Sequence, residues 1–426
     1  MKLNLKTWWW SVRKNNQWVV KLAVALVLVG LAFRLLSSRS NQYPNVTDTP
    51  FLETSPAQSS LNVPGLNDQF QQKDIVGGCD ISVGNWIRNE EGPLYTNESC
   101  NFIESHQNCM KNGRPDTEYL YWRWKPKDCE LPQFNGQKFL DMMRNKAWAL
   151  IGDSISRNHV QSLLCILAKV EEPLHVYHDA DYKNRRWLFP SYNFSISIMW
   201  SPFLAKADIF EDYNGVSSSE IELHLDKLDS NWTSVYQNLD YIIFSSGKWF
   251  VKSAIYYEND TVLGCHYCPG RNLTELGIRF AYRKVISNVF NFIINSNHKG
   301  MIFYRNPTPD HFENGEWFSG GTCQRTKPAE EGDFEYNDLN RLLREVELDE
   351  FANAEIKAAE AGVKLRLLDV TPLSLLRPDG HPGPYRHFHP FAKENKEKII
   401  NDCLHWCLPG PIDSWNDLLM DMIVKS

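Results

Sequence analysis

No cysteine precedes residue 79 in this 426-residue chain, and neither a phosphate-binding loop nor a dinucleotide-binding glycine fingerprint occurs along it. The first absence sets an N-terminal stretch apart from a cysteine-bearing body. The second leaves no site from which a donor co-substrate can be named. Excess positive charge is missing too: a formal net charge of −7 and a pI near 6.0 give no nucleic-acid footprint, so no nucleic-acid partner is expected. Tandem repeats and heptad arrays are absent, which excludes a solenoid or a long coiled coil. What remains is ordinary globular composition, 42% hydrophobic and 23% charged. The length fits two or three domains, or one large α/β domain with an anchor and a stem.

One apolar run, "WVVKLAVALVLVGLAFRLL" at residues 18–36, is long enough to cross a bilayer, with Lys21 and Arg34 near enough to its ends to snorkel. A cleaved signal peptide is the competing reading, but the run is long and no small-x-small cleavage site follows it. Lys2, Lys6, Arg13, Lys14 and Lys21 outweigh Arg34 and Arg39. The expectation is therefore a single-pass type II protein: residues 1–17 cytosolic, 18–36 spanning, and everything beyond lumenal. All ten cysteines follow the run, as do N-x-S/T sequons at Asn45, Asn97, Asn193, Asn231, Asn259 and Asn272, which agrees with an oxidising, secretory compartment. Spacing alone leaves the cysteine connectivity open.

Residues 37–78 are rich in Ser, Asn, Gln, Pro and Thr and lack periodicity, the pattern of a flexible lumenal stem. The folded, catalytic part should span 79–426. Its first section, to about residue 135, has four cysteines among turn-forming residues and reads as an irregular, disulfide-held layer. Beyond it, short apolar runs at 147–151, 241–246, 301–305 and 363–370 alternate with helical candidates at 154–169, 273–296 and 335–361. Strands alternating with helices predict an α/β fold with a mainly parallel central sheet covered on both faces. Active residues then gather beyond the carboxyl ends of the strands.

"KAWALIGDSISRNH", residues 146–159, places Gly152, Asp153 and Ser154 at such an end. At a helix start, unpaired N–H groups and the positive end of the helix dipole can stabilise an oxyanion. Taken alone, the tripeptide is better explained as a helix cap formed by Ser154 or Asp153, because the motif is short and capping preferences are strong. A serine nucleophile needs a base, and the base an orienting acid. "NDCLHWCLPG" supplies Asp402 and His405 three residues apart; one helical turn would put both on one side. Cys403 and Cys407 bracket the pair and can fix a segment that would otherwise fray.

"GDSISRNH" together with "DCLHWCLPGPIDSWND" resembles the plant trichome-birefringence-like proteins, lumenal polysaccharide O-acetyltransferases with an SGNH/GDSL-hydrolase-like core. The resemblance runs from Cys79 to the C-terminus through "CDISVGNW", "HQNCMKNGRPDTEYLYWRWKPKDCELPQF", "FSSGKWF" and "HFENGEWFSGGTC". It implies a three-layer sandwich and a Golgi membrane location. It also implies Ser154 as nucleophile, His405 as general base and Asp402 as its partner. Arg157, completing GDSxxR, would organise the site or the acyl oxygen, and Gly247 would be a further oxyanion donor. "SSGKW" departs from the family's N-T-G-H-W type block, which puts the side chains before Gly247 in question. The family's cysteine pattern implies Cys79–Cys129, Cys100–Cys165, Cys109–Cys407 and Cys323–Cys403, leaving Cys265–Cys268 as a local pair.

Other features have plainer readings beside functional ones. "CHYC" at 265–268 has zinc-like spacing, but no second C-x-x-C accompanies it, so a disulfide is favoured and no metal is expected. "HPGPYRHFH" at 381–389 reads as a loop on the substrate rim. Trp122, Trp124 and Trp249 offer flat faces for sugars, although most tryptophans should be core. Arg114 in "GRPD" would bind sugar hydroxyls or form a buried pair with Asp116.

A Ser-His-Asp site points to acyl transfer through an acyl-serine. The resemblance makes it acetyl transfer to a cell-wall polysaccharide, most closely the side-chain galactose of xyloglucan. Mannan, xylan and simple ester hydrolysis are the alternatives, and a non-catalytic polysaccharide-binding protein is a different class of reading. No bound cofactor is expected. An acetyl donor, or a membrane protein that supplies one, is required.

Overall fold

The computed structural model describes residues 79–211, 217–393 and 399–426. The expected tail, membrane anchor and stem (1–17, 18–36 and 37–78), with sequon Asn45, lie outside the described residues. Among the described residues no helix is long and apolar enough to cross a membrane.

The central sheet is built from β1 (Ala147–Gly152), β2 (Leu174–His178), β3 (Arg185–Phe189), β4 (Phe194–Trp200), β5 (Tyr241–Phe244), β6 (Met301–Arg305) and β7 (Lys364–Leu368). Their spatial order is β7-β6-β5-β1-β4-β3-β2. The first five in that order are parallel, and β3 and β2 close the far edge as an antiparallel hairpin. Successive strand residues alternate between two cores, as the two-residue period requires. Trp148, Leu150, Ile243 and Phe303 face one core, shared with helices α1 (Ser154–Leu167) and α4 (Asp413–Val424). Ala149, Ile151, Ile242, Phe244, Ile302 and Tyr304 face the other, shared with α2 (Gly277–Asn295) and α3 (Asp338–Glu360). Burial on both faces explains why these strands read as continuous apolar runs. The result is a three-layer α/β sandwich.

From β1 the chain goes to the far edge on one side, returns through β2 and β3 to β4, and only then crosses to β5 on the other side, so β1 sits where the winding direction reverses. That is where doubly wound sheets open a crevice. A smaller four-stranded sheet, formed by Ala205–Asp208, Ile221–Leu228, Ala254–Glu258 and Thr261–His266, was not legible as strands in the sequence.

Residues 79–135 form the irregular layer, with one two-stranded ribbon pairing Gly84–Arg88 with Trp122–Pro126. Disulfides join Cys79 to Cys129, Cys100 to Cys165 and Cys109 to Cys407. Elsewhere Cys323 is joined to Cys403 and Cys265 to Cys268. These are the five pairs that the family resemblance implies. Of the sequons, Asn193, Asn259 and Asn272 are exposed and Asn97 is half-buried. Asn231 differs: its Nδ2 donates to the Trp200 carbonyl (3.0 Å) and to Asn184 Oδ1 (3.1 Å), so the fold occupies the amide a glycan would use.

Candidate active site

The β1 strand ends in Gly152 because nothing larger fits: a Cβ there would lie 2.2 Å from the Ser245 carbonyl oxygen at the end of β5. Asp153, in extended conformation, caps α1 by accepting from the Ile155 amide (3.0 Å). Ser154 is therefore the first helical residue and not the cap. Its hydroxyl is left free of the capping role that the tripeptide permits on sequence grounds. Asp153 is buried, which raises its carboxyl pKa, while the nearby Arg305 charge works in the opposite direction. Arg305, at the end of β6, is fully buried and donates to Ser245 Oγ at 2.6 Å, lying 3.4 Å from Ser156 Oγ.

Asp402 and His405 meet, but not on a helical turn. The Asp402 carboxylate makes the turn itself: Oδ1 accepts from the amides of Leu404 (3.2 Å) and His405 (3.0 Å), and Oδ2 accepts from His405 Nδ1 (2.9 Å). A carboxylate is acceptor-only, so Nδ1 carries the proton and Nε2 is left as the basic nitrogen. Burial works against charge on both groups, yet their mutual attraction outweighs it. Asp402 is held far below the usual carboxylate range and His405 is raised above 6.5, with Asp153 adding in the same direction for the imidazole. His405 Nε2 is buried and has no hydrogen-bond partner among the described residues, Ser154 Oγ included.

Asn158 ties the two halves together. One helical turn after Ser154, its Oδ1 accepts from the Trp406 amide (2.8 Å) and its Nδ2 donates to the Trp406 carbonyl (3.2 Å). The residue after His405 is thus clamped to the face of α1 that carries Ser154. Around it, Cys403 and Cys407 are both in disulfides, the Gly383 and Asp402 backbones exchange two hydrogen bonds, and His381 Nδ1 donates to the His405 carbonyl (2.7 Å).

Arg157 is half-buried beside the Trp200 ring (5.1 Å), and its Nε has no partner among the described residues. Its charge, with that of Arg185, holds Glu104 low against burial. Glu104 is ion-paired with Arg185, and His106 stands edge-on to His405 at 6.1 Å between ring centres. Thus Glu104 and His106 bring the irregular layer into the site. Sequence reasoning missed both, and also Asn158 and Arg305; the adjacency of "ESHQNC" to a disulfide cysteine was the available signal for the first two. Gly247 follows β5 with φ +149°, a backbone setting that favours glycine. The departing "SSGKW" side chains are structural: Ser246 Oγ donates to Pro202 O (2.7 Å), and Lys248 is ion-paired with Asp310.

The expected sugar contacts fare differently. Trp124 is buried, with Nε1 donating to Ile81 O (2.9 Å), so it has no face for a sugar. Arg114 is buried and spends its guanidinium on Asp116, on the carbonyls of Asp379 (2.6 Å) and His381 (2.9 Å), and over the Tyr119 ring, making it a brace instead of a sugar ligand. Trp249 is half-buried with Lys252 over its ring at 4.2 Å. Trp122 is half-buried, with Arg88 over its ring at 5.8 Å. The exposed tryptophan among the described residues is Trp317, at 65%.

Residues 131–422 match the PC-Esterase family, described as the GDSL/SGNH-like acyl-esterase family found in Pmr5 and Cas1p. Residues 77–130 match the PMR5 N terminal domain. The chain is 49% identical over 429 residues to protein trichome birefringence-like 23 of Arabidopsis thaliana, covering 99% of each. It is 42% identical to xyloglucan O-acetyltransferase 1 of Populus trichocarpa, over 97% of this chain and 94% of the relative. The xyloglucan O-acetyltransferase 1 of Arabidopsis thaliana is likewise 42% identical, over 97% of each.

Proposed function

The chain belongs to the GDSL/SGNH-like acyl-esterase family found in Pmr5 and Cas1p, and on that premise we propose that it is a polysaccharide O-acetyltransferase working through an acetyl-serine. The observation that carries this reading is the clamp between Asn158 and Trp406, which couples the Ser154 helix to the Asp402–His405 pair. Ser154 Oγ attacks the acetyl carbonyl of the donor while His405 Nε2 takes its proton. The first-turn amides at Ser154, aided by Gly247, stabilise the oxyanion. The departing donor group leaves with that proton. An acceptor sugar hydroxyl then attacks the acetyl-serine; His405 takes the hydroxyl proton and returns it to Ser154 Oγ as the ester bond to serine breaks. Water in the acceptor's place would make the same machinery an esterase.

The acceptor we propose is xyloglucan, at the galactose of its side chains, supported by the two relatives named for xyloglucan acetylation. The donor enters from solution or from a membrane protein, and the chain is anchored in the Golgi membrane by residues 18–36, supported by the disulfides and by the apolar run. The test is full-length protein incubated with an activated acetyl donor and oligomers of xyloglucan, mannan and xylan. Acetylated xyloglucan from the wild type and none from Ser154→Ala is the expected result. Product on mannan or xylan alone would replace the acceptor, and equal product from Ser154→Ala would end the serine mechanism.

A further inference from the structure

Two loops are tied to the segment that carries Asp402, and among the described residues both carry exposed aromatic rings. The first is a hairpin closed by the Glu313–Thr322 bridge, whose base is fixed to Cys403 by the Cys323 disulfide and by the His311 amide (3.0 Å). Its tip presents Trp317, 65% exposed, and Phe318, 72% exposed, edge to face at 5.7 Å. The second starts at Gly383, which is hydrogen-bonded on both sides to Asp402, and runs past Arg386, 3.8 Å from the Asp402 carboxylate. It carries Phe388 and Phe391, 65% and 67% exposed. Rings of this size are normally buried, and leaving four of them exposed on loops tied to Asp402 and Cys403 forgoes the stabilisation that burial would give.

We infer that Trp317, Phe318, Phe388 and Phe391 form a stacking rim that holds a neutral polysaccharide acceptor on the His405 side of the site. The inference rests on the acetyltransferase reading and names the acceptor's binding surface. An aromatic face matches the apolar C–H face of a pyranose ring, and a ring on each loop can grip successive sugars. Among the described residues of the two loops, charge argues for a neutral occupant: Arg325 is paired with Glu313, Arg386 lies 3.8 Å from the Asp402 carboxylate, and Glu316 and Lys393 oppose in sign. Because both loops are rooted on Asp402 and Cys403, a polymer held there is in fixed register with His405, which is the requirement for high effective concentration of one hydroxyl.

The test is calorimetric binding of a neutral xyloglucan oligosaccharide to the full chain carrying Ser154→Ala, in nanodiscs. Trp317→Ala with Phe318→Ala, and separately Phe388→Ala with Phe391→Ala, should each weaken binding about tenfold with the melting temperature unchanged. The conservative changes Trp317→Phe and Phe388→Tyr should retain most of the affinity. Unchanged binding in both double variants overturns the proposal. So does a loss of vesicle binding or of self-association with sugar affinity intact, since the rings would then serve a membrane or a second copy. If the rim variants lose sugar binding but wild type never transfers acetyl, the rim stands and the transferase reading fails. If wild type transfers acetyl and the variants bind normally, the reverse holds.

Discussion

Asp402 performs two tasks with one carboxylate: it builds the turn that presents His405, and it fixes and charges the imidazole. Asp402→Asn keeps the shape but reverses a donor and an acceptor, so the ring takes the wrong tautomer. A loss of roughly two to four orders of magnitude in kcat is expected, measured by initial rates of acetyl transfer. The pH dependence carries a definite sign. His405 is a base with a pKa raised above 6.5, so the rate should climb with pH through that raised value, and the climb should move to lower pH in residual Asp402→Asn activity. For stability, the raised imidazole contributes fully below its unfolded pKa of 6.5 and loses that as pH rises through the folded one. The depressed carboxylate contributes above 3.8 and loses it as pH falls. The pair therefore stabilises most between those two values, which urea titrations across pH can check. The residue types of the pair were readable from "DCLH", whereas the turn that joins them was not, because a helical and a carboxylate-capped turn place i and i+3 alike.

At the level of elements, the site depends on how tightly α1 is held to the C-terminal segment and β1 to β5. Asn158→Leu leaves the Trp406 amide and carbonyl unpaired in a dry interior, at about 1–3 kcal/mol in denaturant unfolding. If the clamp positions the base, kcat should fall while acceptor KM holds. Gly152→Ala forces a methyl against the Ser245 carbonyl and should cost about 1–3 kcal/mol or more, read by the same titration. Elements buried on both faces were legible: the runs at 147–151 and 301–305 became β1 and β6 with bounds within a residue. The hairpin of β2 and β3 was not, because Leu174–His178 is an edge strand exposed throughout and mixes His and Tyr with Leu and Val, so neither period shows. Trp317 escaped for a related reason: a ring at a loop tip has no periodic neighbours to mark it as surface.

At the scale of the whole molecule, the first and last parts of the described chain are fastened at the site. Cys109–Cys407 spans a sequence separation of 298 residues, and the irregular layer brings His106 to the His405 ring, with Glu104 3.6 Å from His106. Replacing both cysteines by serine should lower stability by up to about 5 kcal/mol through the freed loop entropy. Activity should fall further than the folded fraction does, since the segment bearing His405 gains freedom. Comparing thermal melts with rates on the same samples separates the two effects. As proposed, Ser154 carries the acetyl group between donor and sugar, and mass spectrometry of rapidly quenched full-length protein with an activated acetyl donor reads that step itself. One acetyl group is expected on the peptide containing Ser154, absent in His405→Ala and discharged when a xyloglucan oligosaccharide is added. Acetylated sugar forming while Ser154 stays unmodified, or an acetyl on Ser154 that acceptor never removes, would contradict it.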